Sequence, residues 1–268
     1  MYIRGTHNAY PFIASRSWQR RVCGDVRLNK KEKMESADEI IKEAERLWRD
    51  DNEQAAIKIL ETIVENNGQA NTLIGNMYAN AERGQSNIKR DIRKARKYYE
   101  KAVELNNSEG ALELADIYYF GERVKTNYKK AEYFWELAYN LNDEMGAFKL
   151  ANYYYDHNPN QIEKAVSIYK ELISNREFIG NCEYKLSKIY GRGIGVEKNV
   201  KLEIHYLTQG AEAFDFNCCS ELARKYLYGK DVEKNTTKAL EVIQKADTRE
   251  LFDETKEAII NLIKSEIK

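Results

Sequence analysis

The feature that most constrains the fold of this chain is a leucine that recurs every 36 residues, with a tyrosine four residues after each. The pairs are Leu114–Tyr118, Leu150–Tyr154, Leu186–Tyr190 and Leu222–Tyr226. A fixed period of this length is typical of an array of one small structural unit and not of a single globular core. An array has a long surface and usually no central catalytic pocket, so binding is the first functional expectation.

The residues around each leucine fall on one face of a helix. Around Leu114 they are Ala111, Ala115 and Tyr118, at the i, i+3, i+4 and i+7 spacing of an amphipathic helix. A second apolar pattern follows in each unit. Four of five units begin it with the same step: Lys94–Ala95, Lys130–Ala131, Lys164–Ala165 and Lys238–Ala239. Each unit is therefore predicted to be two helices, A and B, which must stack on their neighbours to bury their apolar faces.

This pattern resembles the Sel1-like repeat, a 36-residue relative of the tetratricopeptide repeat. The resemblance depends on Ala-x-x-Leu-Ala-x-x-Tyr, on the glycine-rich turn from Gly191 to Val196, and on the Lys-Ala step with its aromatic pair. It covers five units over residues 70–246, the first with about four extra loop residues. It implies an all-α fold, a right-handed α-solenoid of stacked antiparallel helix pairs, used as an adaptor between other proteins.

Two units depart from the pattern. The third has Asp156-His157-Asn158-Pro159 where the glycine turn is expected, which predicts a shorter and differently shaped turn between its helices. The fourth has Lys201-Leu202-Glu203 in place of Lys-Ala, which predicts a B helix that is looser or shifted.

The flanking segments differ from the repeats. Residues 34–66 are predicted to be a capping helix pair, and residues 249–267 a capping helix with Leu251, Ile259, Leu262 and Ile263 facing inward. A polar outer face on a terminal helix keeps such an array soluble. One solenoid domain is thus expected over 34–268.

Residues 1–33 form a basic segment without a helical period. It holds eight Lys and Arg residues against Asp25 and Glu32, a net charge of about +6. We predict a disordered tail, or vector or upstream sequence before a natural start at Met34. Two alternatives stay open: an arm that binds an acidic partner or folds onto the first helices, and a mitochondrial transit peptide.

The composition limits which classes of partner and which cellular compartment are expected. The chain has 43 basic and 43 acidic residues, so nucleic acid is not expected as the main partner. No apolar run approaches the roughly 20 residues that span a bilayer, so no membrane role is expected. Relatives of the resembled family tie helix A to helix B with cystines, but no predicted B helix here contains cysteine. A reducing, cytoplasmic location is therefore predicted.

The repeat alignment explains the residues that could otherwise suggest a catalytic, phosphate-binding or metal site. Cys182, Cys218 and Cys219 occupy positions that hold Ala or Gly in other units, as small buried residues would. The glycines at 191, 193 and 195 do not follow a strand or end in Gly-Lys-Ser/Thr, so they predict a turn and not a phosphate loop. No two of the three histidines have metal-binding spacing. We predict no enzyme activity, no metal and no cofactor.

The remaining candidate surface is the stripe on each A helix at −1, +2, +3 and +6 from the leucine. Its charge changes from acidic in the second unit to basic in the fourth and fifth. Exposed Phe120, Tyr153 and Tyr228 are predicted anchors, because rigid aromatic residues often supply binding hot spots. The alternative is an ordinary solvated face. The predicted partner-binding residues on this concave face are Glu113, Asp116, Phe120, Asn152, Tyr153, Lys188, Arg192, Glu221, Arg224 and Tyr228.

The sequence therefore predicts a non-catalytic scaffold or adaptor that binds another protein on its concave face. The alternative is a cytosolic immunity or inhibitor protein that neutralises a toxin or effector by occluding it, an expectation from fold-level analogy. A homodimer is left open.

Overall fold

The computed structural model of the protein describes residues 36–81, 86–248 and 252–267. The predictions for residues 1–33, and for Cys23 and His7 within them, lie outside the described residues. So do Leu251 and most of the extra loop in the first unit.

The described residues are all-helical, as predicted. They form thirteen α-helices and one short 3-10 helix at Pro159–Gln161, with no strand and one isolated β-bridge between Asp215 and Asp247. The helices are α1 (Ala37–Arg49), α2 (Glu53–Leu60), α3 (Gly68–Asn80), α4 (Ile92–Glu104), α5 (Ser108–Phe120), α6 (Tyr128–Asn140), α7 (Glu144–His157), α8 (Ile162–Ser174), α9 (Asn181–Arg192), α10 (Val200–Glu212), α11 (Phe216–Tyr228), α12 (Thr236–Lys245) and α13 (Asp253–Ile267).

The helices pair in sequence order, and the recurring leucines lie between the pairs. The A helices are α3, α5, α7, α9 and α11, and each packs against the B helix that follows it and against the B helix before it. Leu114, Leu150, Leu186 and Leu222 are all buried. Burying a leucine side chain contributes about 2 kcal/mol, so the recurring leucine both defines the period and stabilises each unit.

Side-chain caps mark where most repeat helices begin. Asn107 and Asp143 accept hydrogen bonds of 2.8 Å from the backbone N–H three residues on, at the starts of α5 and α7. Asn127, Asn199 and Asn235 do the same for the B helices α6, α10 and α12. Such a cap satisfies a backbone donor that the first helical turn leaves free. The starts of most repeat helices are therefore encoded locally, while α8 and α9 begin without such a side-chain cap.

The lysine of the Lys-Ala step lies over the tyrosine that follows the recurring leucine. Lys130 Nζ is 4.7 Å from the ring centroid of Tyr118, and the equivalent contacts join Lys94 to Tyr78 and Lys238 to Tyr226. A cation over an aromatic face is attracted by the ring quadrupole. The recurring tyrosine of helix A and the lysine of the Lys-Ala step in helix B thus form one contact between the two helices.

The two departures have different outcomes. In the third unit the turn is shorter, as predicted, because α7 runs to His157 and the 3-10 helix leads directly into α8. The fourth B helix is not shifted, so that prediction is wrong. Its N-cap Asn199 and its length match those of α6, and Lys170 from α8 takes the place of the missing lysine, 5.7 Å from the ring of Tyr190.

Helices α1 and α2 precede the repeats and α13 follows them. Ile41 and Ala44 of α1 and Ile259 and Ile263 of α13 are buried against the array. Leu262 was expected to face inward, but it is exposed, because it lies on the side of α13 that no other described helix covers.

Candidate partner-binding surface

The A helices of neighbouring units lie against one another. Contacts join α3 to α5, α5 to α7 and α9 to α11, and ion pairs cross between A helices, as from Lys185 to Asp156 and from Lys149 to Asp116. Helices on the inner side of a curved stack are closer together than those outside. We therefore call the surface of α3, α5, α7, α9 and α11 the inner wall.

The +3 position of the predicted stripe is buried or half-buried in every unit from the second to the fifth. Ile117, Ile189 and Lys225 occupy it and are buried. Tyr153, at the same position in the third unit, is half-buried, with its ring centroid 5.8 Å from that of Trp135. The prediction that Tyr153 is exposed is therefore wrong, because the i+3 residue turns toward the preceding B helix. Its role as a partner contact stays a prediction.

The two other predicted anchors are exposed. Phe120 and Tyr228 are the last residues of α5 and α11, with 59% and 64% of their surface accessible. Each is followed by a glycine with a left-handed backbone, which ends the helix. Asp156 and Arg192 occupy the equivalent +6 position of the two units between them, and both are exposed.

Two of the predicted polar residues are engaged inside their own unit. Asn152 accepts a hydrogen bond of 2.8 Å from the Tyr169 hydroxyl, and Asp116 accepts one of 3.3 Å from the Trp135 indole N–H. An equivalent bond joins Tyr99 to Asn76 in the first unit. In the first three units, therefore, an aromatic residue of helix B holds the +2 residue of helix A.

Glu113 is half-buried on the second A helix. Burial raises the pKa of this carboxyl to about 7, and the nearby charge of Asp116 adds to the effect, while Lys149 opposes it. This end of the inner wall is acidic and is not fully ionised near neutral pH.

An aromatic cluster lies beside Phe120, between the second and third units. A cavity of about 150 Å³ is bounded there by aromatic and acidic residues. His157, which the sequence placed in a loop, ends α7 at this cluster. Its Nε2 is 3.0 Å from the Tyr119 hydroxyl, and its ring stacks at 5.8 Å on Tyr128.

The fourth and fifth units lack the aromatic residue that holds the +2 position. Leu207 and Ile243 stand where the first three units have Tyr99, Trp135 and Tyr169. An aliphatic side chain cannot donate a hydrogen bond, so the +2 residues Lys188 and Arg224 are not held by helix B. Lys188 pairs instead with Glu221 of the next A helix, with 2.5 Å between Nζ and Oε1.

An ion-pair network around the buried Lys225 lies beside Lys188. Lys225 Nζ is 3.0 Å from Glu203 Oε1 and 2.8 Å from Asp231 Oδ2. Burial by itself would lower the pKa of Lys225, but the two carboxylates outweigh it and raise the pKa. Glu203 stands where the other units have alanine, and a Cβ on Gly191 would come within 2.4 Å of its carboxyl carbon. The absence of a side chain at Gly191 therefore makes room for Glu203. Gly191 lies within α9, so it is not part of the predicted turn.

These residues bound a cavity of about 340 Å³ between α9 and α11. We call it the basic pocket. Its cations are Lys188, Arg192, Lys198, Arg224, Lys225 and Lys230, and its acids are Glu203, Glu221 and Asp231, a net charge of +3. Exposed Tyr228 lies at its edge.

The basic pocket joins predicted residues with others that sequence reasoning missed. Lys188, Arg192, Glu221, Arg224 and Tyr228 were predicted, and the structure brings all five together. Lys225 was part of the predicted stripe but not one of the predicted partner-binding residues. The missed residues are Lys198, Glu203, Lys230 and Asp231. One of them gave a signal, because Glu203 replaces a repeat alanine.

Comparison with protein-family models identifies the repeat. The model of the Sel1 repeat matches residues 70–107, 108–143, 180–213 and 217–246. The chain belongs to the Sel1 repeat family. Sel1 repeat proteins are generally protein-interaction scaffolds. The third unit of this Sel1 repeat protein is outside the matched ranges, and it is the unit with the shortened turn.

Solved structures share the fold. A protective antigen of uropathogenic Escherichia coli matches with 19% identity and a TM-score of 0.69, over 86% of this chain and 49% of that one. The chain thus spans about half the length of that antigen. A Sel1 repeat protein from Oxalobacter formigenes matches with 20% identity and a TM-score of 0.66, over 76% and 83%. At these identities the similarity concerns the fold alone.

Two further comparisons give no information about the function of this chain. An immunity protein from Pseudomonas aeruginosa matches with 17% identity over 84% of this chain and 81% of that one, but its TM-score is 0.42. A comparison with curated proteins found no match.

The three described cysteines of this Sel1 repeat protein are packing residues. Cys182, Cys218 and Cys219 are buried and free. Burial raises the pKa of Cys182 to about 12 and that of Cys219 to about 11, so both thiols stay protonated near neutral pH. Among the described residues there is no group of three or more His, Cys, Asp or Glu side chains placed to hold a metal ion. Nor does any described helix combine the length and apolar character needed to span a membrane.

Proposed function

We propose that this protein is a non-catalytic scaffold that binds a segment of another protein along its inner wall. The observation that carries the proposal is the pair of exposed aromatic residues Phe120 and Tyr228. They lie at the same repeat position, three units apart, and each lies at the edge of a cavity on the wall. Rigid aromatic residues beside a cavity are typical anchors of an interface.

The general role of the Sel1 repeat family supports the proposal. The charge of the wall supports it further, because the second unit is acidic and the fourth and fifth are basic. Such a gradient determines the direction in which a partner segment binds. Charge complementarity across an interface influences the register of a partner more than it influences its affinity. We also propose a cytoplasmic location, supported by the three buried free thiols.

The test is affinity capture from the native cell followed by mass spectrometry. We expect the wild type to retain a specific partner, and Phe120→Ala/Tyr228→Ala to lose most of it. The matched control is Tyr133→Ala/Phe214→Ala, which removes two aromatic residues of similar exposure, 59% and 52%, that are not on an A helix. Undiminished capture by the folded Phe120→Ala/Tyr228→Ala variant would overturn the assignment to the inner wall.

The same experiment distinguishes the alternative, an immunity or inhibitor role, from the scaffold role. It requires that the captured partner be one toxin or effector, and that the purified protein block its activity in proportion to complex formed. A partner whose activity is unchanged in the complex favours the scaffold.

A further inference from the structure

The charges of the basic pocket do not balance, and the imbalance lies on its exposed side. All three of its acids are taken up by ion pairs with Lys188 and Lys225. Arg192 and Arg224 are exposed, and within the described ranges neither has an ion pair with an acid. Two arginines of adjacent A helices therefore bound the cavity with uncompensated charge.

We propose that the basic pocket binds an acidic segment of the partner protein, through the carboxylates of Asp or Glu side chains. The inference rests on the proposed scaffold function and names the chemistry of its partner. Guanidinium groups bind carboxylates through two parallel hydrogen bonds. Arg192 and Arg224 supply these groups, and Tyr228 supplies an apolar contact for a residue next to the acidic ones.

The floor of the pocket is fixed before any partner binds. Lys225 is held between Glu203 and Asp231, and the side chains of Lys225 and Glu203 are 8% and 16% accessible. Lys188 is held by Glu221 at the side. A site whose polar groups are already ordered loses less entropy on binding. The exposed arginines can then discriminate by charge while the cavity keeps its shape.

Two other occupants fit less well. A nucleic acid would extend beyond the pocket along a wall that is acidic at Glu113 and Asp116, and a polyanion is repelled there. The chain's own residues 1–33 carry a net charge of about +6, which the basic pocket repels. A short acidic peptide segment requires neither a long basic stripe nor a contact with the second unit.

The test uses a displayed library of random peptides selected on the full-length protein. We expect peptides that bind the wild type to be enriched in Asp and Glu by about twofold or more over the input library, because charge complementarity dominates selection at this pocket. The enrichment should disappear with Arg192→Glu/Arg224→Glu and fall with Arg192→Gln/Arg224→Gln, which removes charge without reversing it. Circular dichroism would verify that both variants are folded.

The matched control is Arg93→Glu/Lys129→Glu, which makes the same change in net charge at exposed residues of the B helices α4 and α6. It should keep the acidic enrichment of the wild type. No acidic enrichment on the wild type, or the same enrichment on Arg192→Glu/Arg224→Glu, would overturn the inference. So would tighter binding of a single-stranded oligothymidine than of the selected peptides.

Capture of the native partner separates this inference from the scaffold proposal. If Phe120→Ala/Tyr228→Ala loses the partner and Arg192→Glu/Arg224→Glu retains it, the scaffold proposal stands and the acidic-segment inference fails. If both variants retain the partner, both proposals fail.

Discussion

Lys225 on α11 forms a buried ion pair with Glu203 on α10, with 3.0 Å between Nζ and Oε1. The equivalent positions one unit earlier hold Ile189 and Ala165, which are both buried in one apolar cluster. A pair of opposite charges has thus replaced an apolar contact at one boundary of the array. Removing one partner of such a pair leaves the other as an uncompensated buried charge.

The first prediction concerns this pair. We expect Lys225→Ile alone to lower the free energy of unfolding by about 3 kcal/mol, and Glu203→Ala/Lys225→Ile to recover at least half of the loss, because the double variant recreates an apolar contact. Urea denaturation followed by circular dichroism measures both. The control Lys234→Met breaks the exposed pair with Glu266 and should change stability by less than about 0.5 kcal/mol. A single variant as stable as the control would contradict the prediction.

The second prediction contrasts two tyrosines of the predicted stripe. Tyr153→Ala should lower the unfolding free energy by about 2 kcal/mol, because its half-buried ring packs on Trp135. Tyr228→Ala should change it by less than about 0.5 kcal/mol, since its ring is mostly exposed. Thermal unfolding of both variants beside the wild type provides the comparison. Equal losses would show that Tyr228 is part of the core.

The third prediction concerns pH and Glu113. Its pKa in the folded state is about 7, above the ordinary value of 4.5, so the folded protein binds this proton more tightly than the unfolded chain. Its contribution to stability is complete below pH 4.5 and is lost as the pH rises through 7. We therefore expect Glu113→Gln to be more stable than the wild type at pH 8, by on the order of 1 kcal/mol.

The advantage of Glu113→Gln should shrink as the pH is lowered to 5. Denaturation curves at pH 5, 6, 7 and 8 measure this trend. A difference between variant and wild type that is the same at all four pH values would show that the carboxyl does not titrate differently in the two states.

The fourth prediction concerns the thiols. In a Cys23→Ser variant the remaining cysteines are those of the described core, all buried and free. Because the thiolate is the reactive form and burial raises the pKa of each thiol, we expect no rapid reaction with a disulfide reagent at pH 8. Three thiols should react at once in urea. Rapid labelling of the folded variant would contradict the assignment of these cysteines to packing.

Much of the fold could be predicted from local patterns. The spacing of Leu114, Leu150, Leu186 and Leu222 identified the buried face of four of the five A helices, because a side chain's position on a helix depends on its sequence spacing alone. The assignment of Cys218 and Cys219 to packing followed from the same alignment. The exposed +6 residues Phe120 and Tyr228 were also predictable, since each precedes the glycine that ends its helix.

The sequence by itself determined the repeat, the helix pairs and the residues that fill the core, because these depend on contacts that recur within each period. Only the tertiary structure decided which stripe residues remain accessible. It turned Tyr153 toward Trp135, and it brought together Gly191, Glu203 and Lys225, which come from different helices and two units. How closely α10 approaches α11 depends on the packing of whole units, and no periodicity of a single helix encodes that distance.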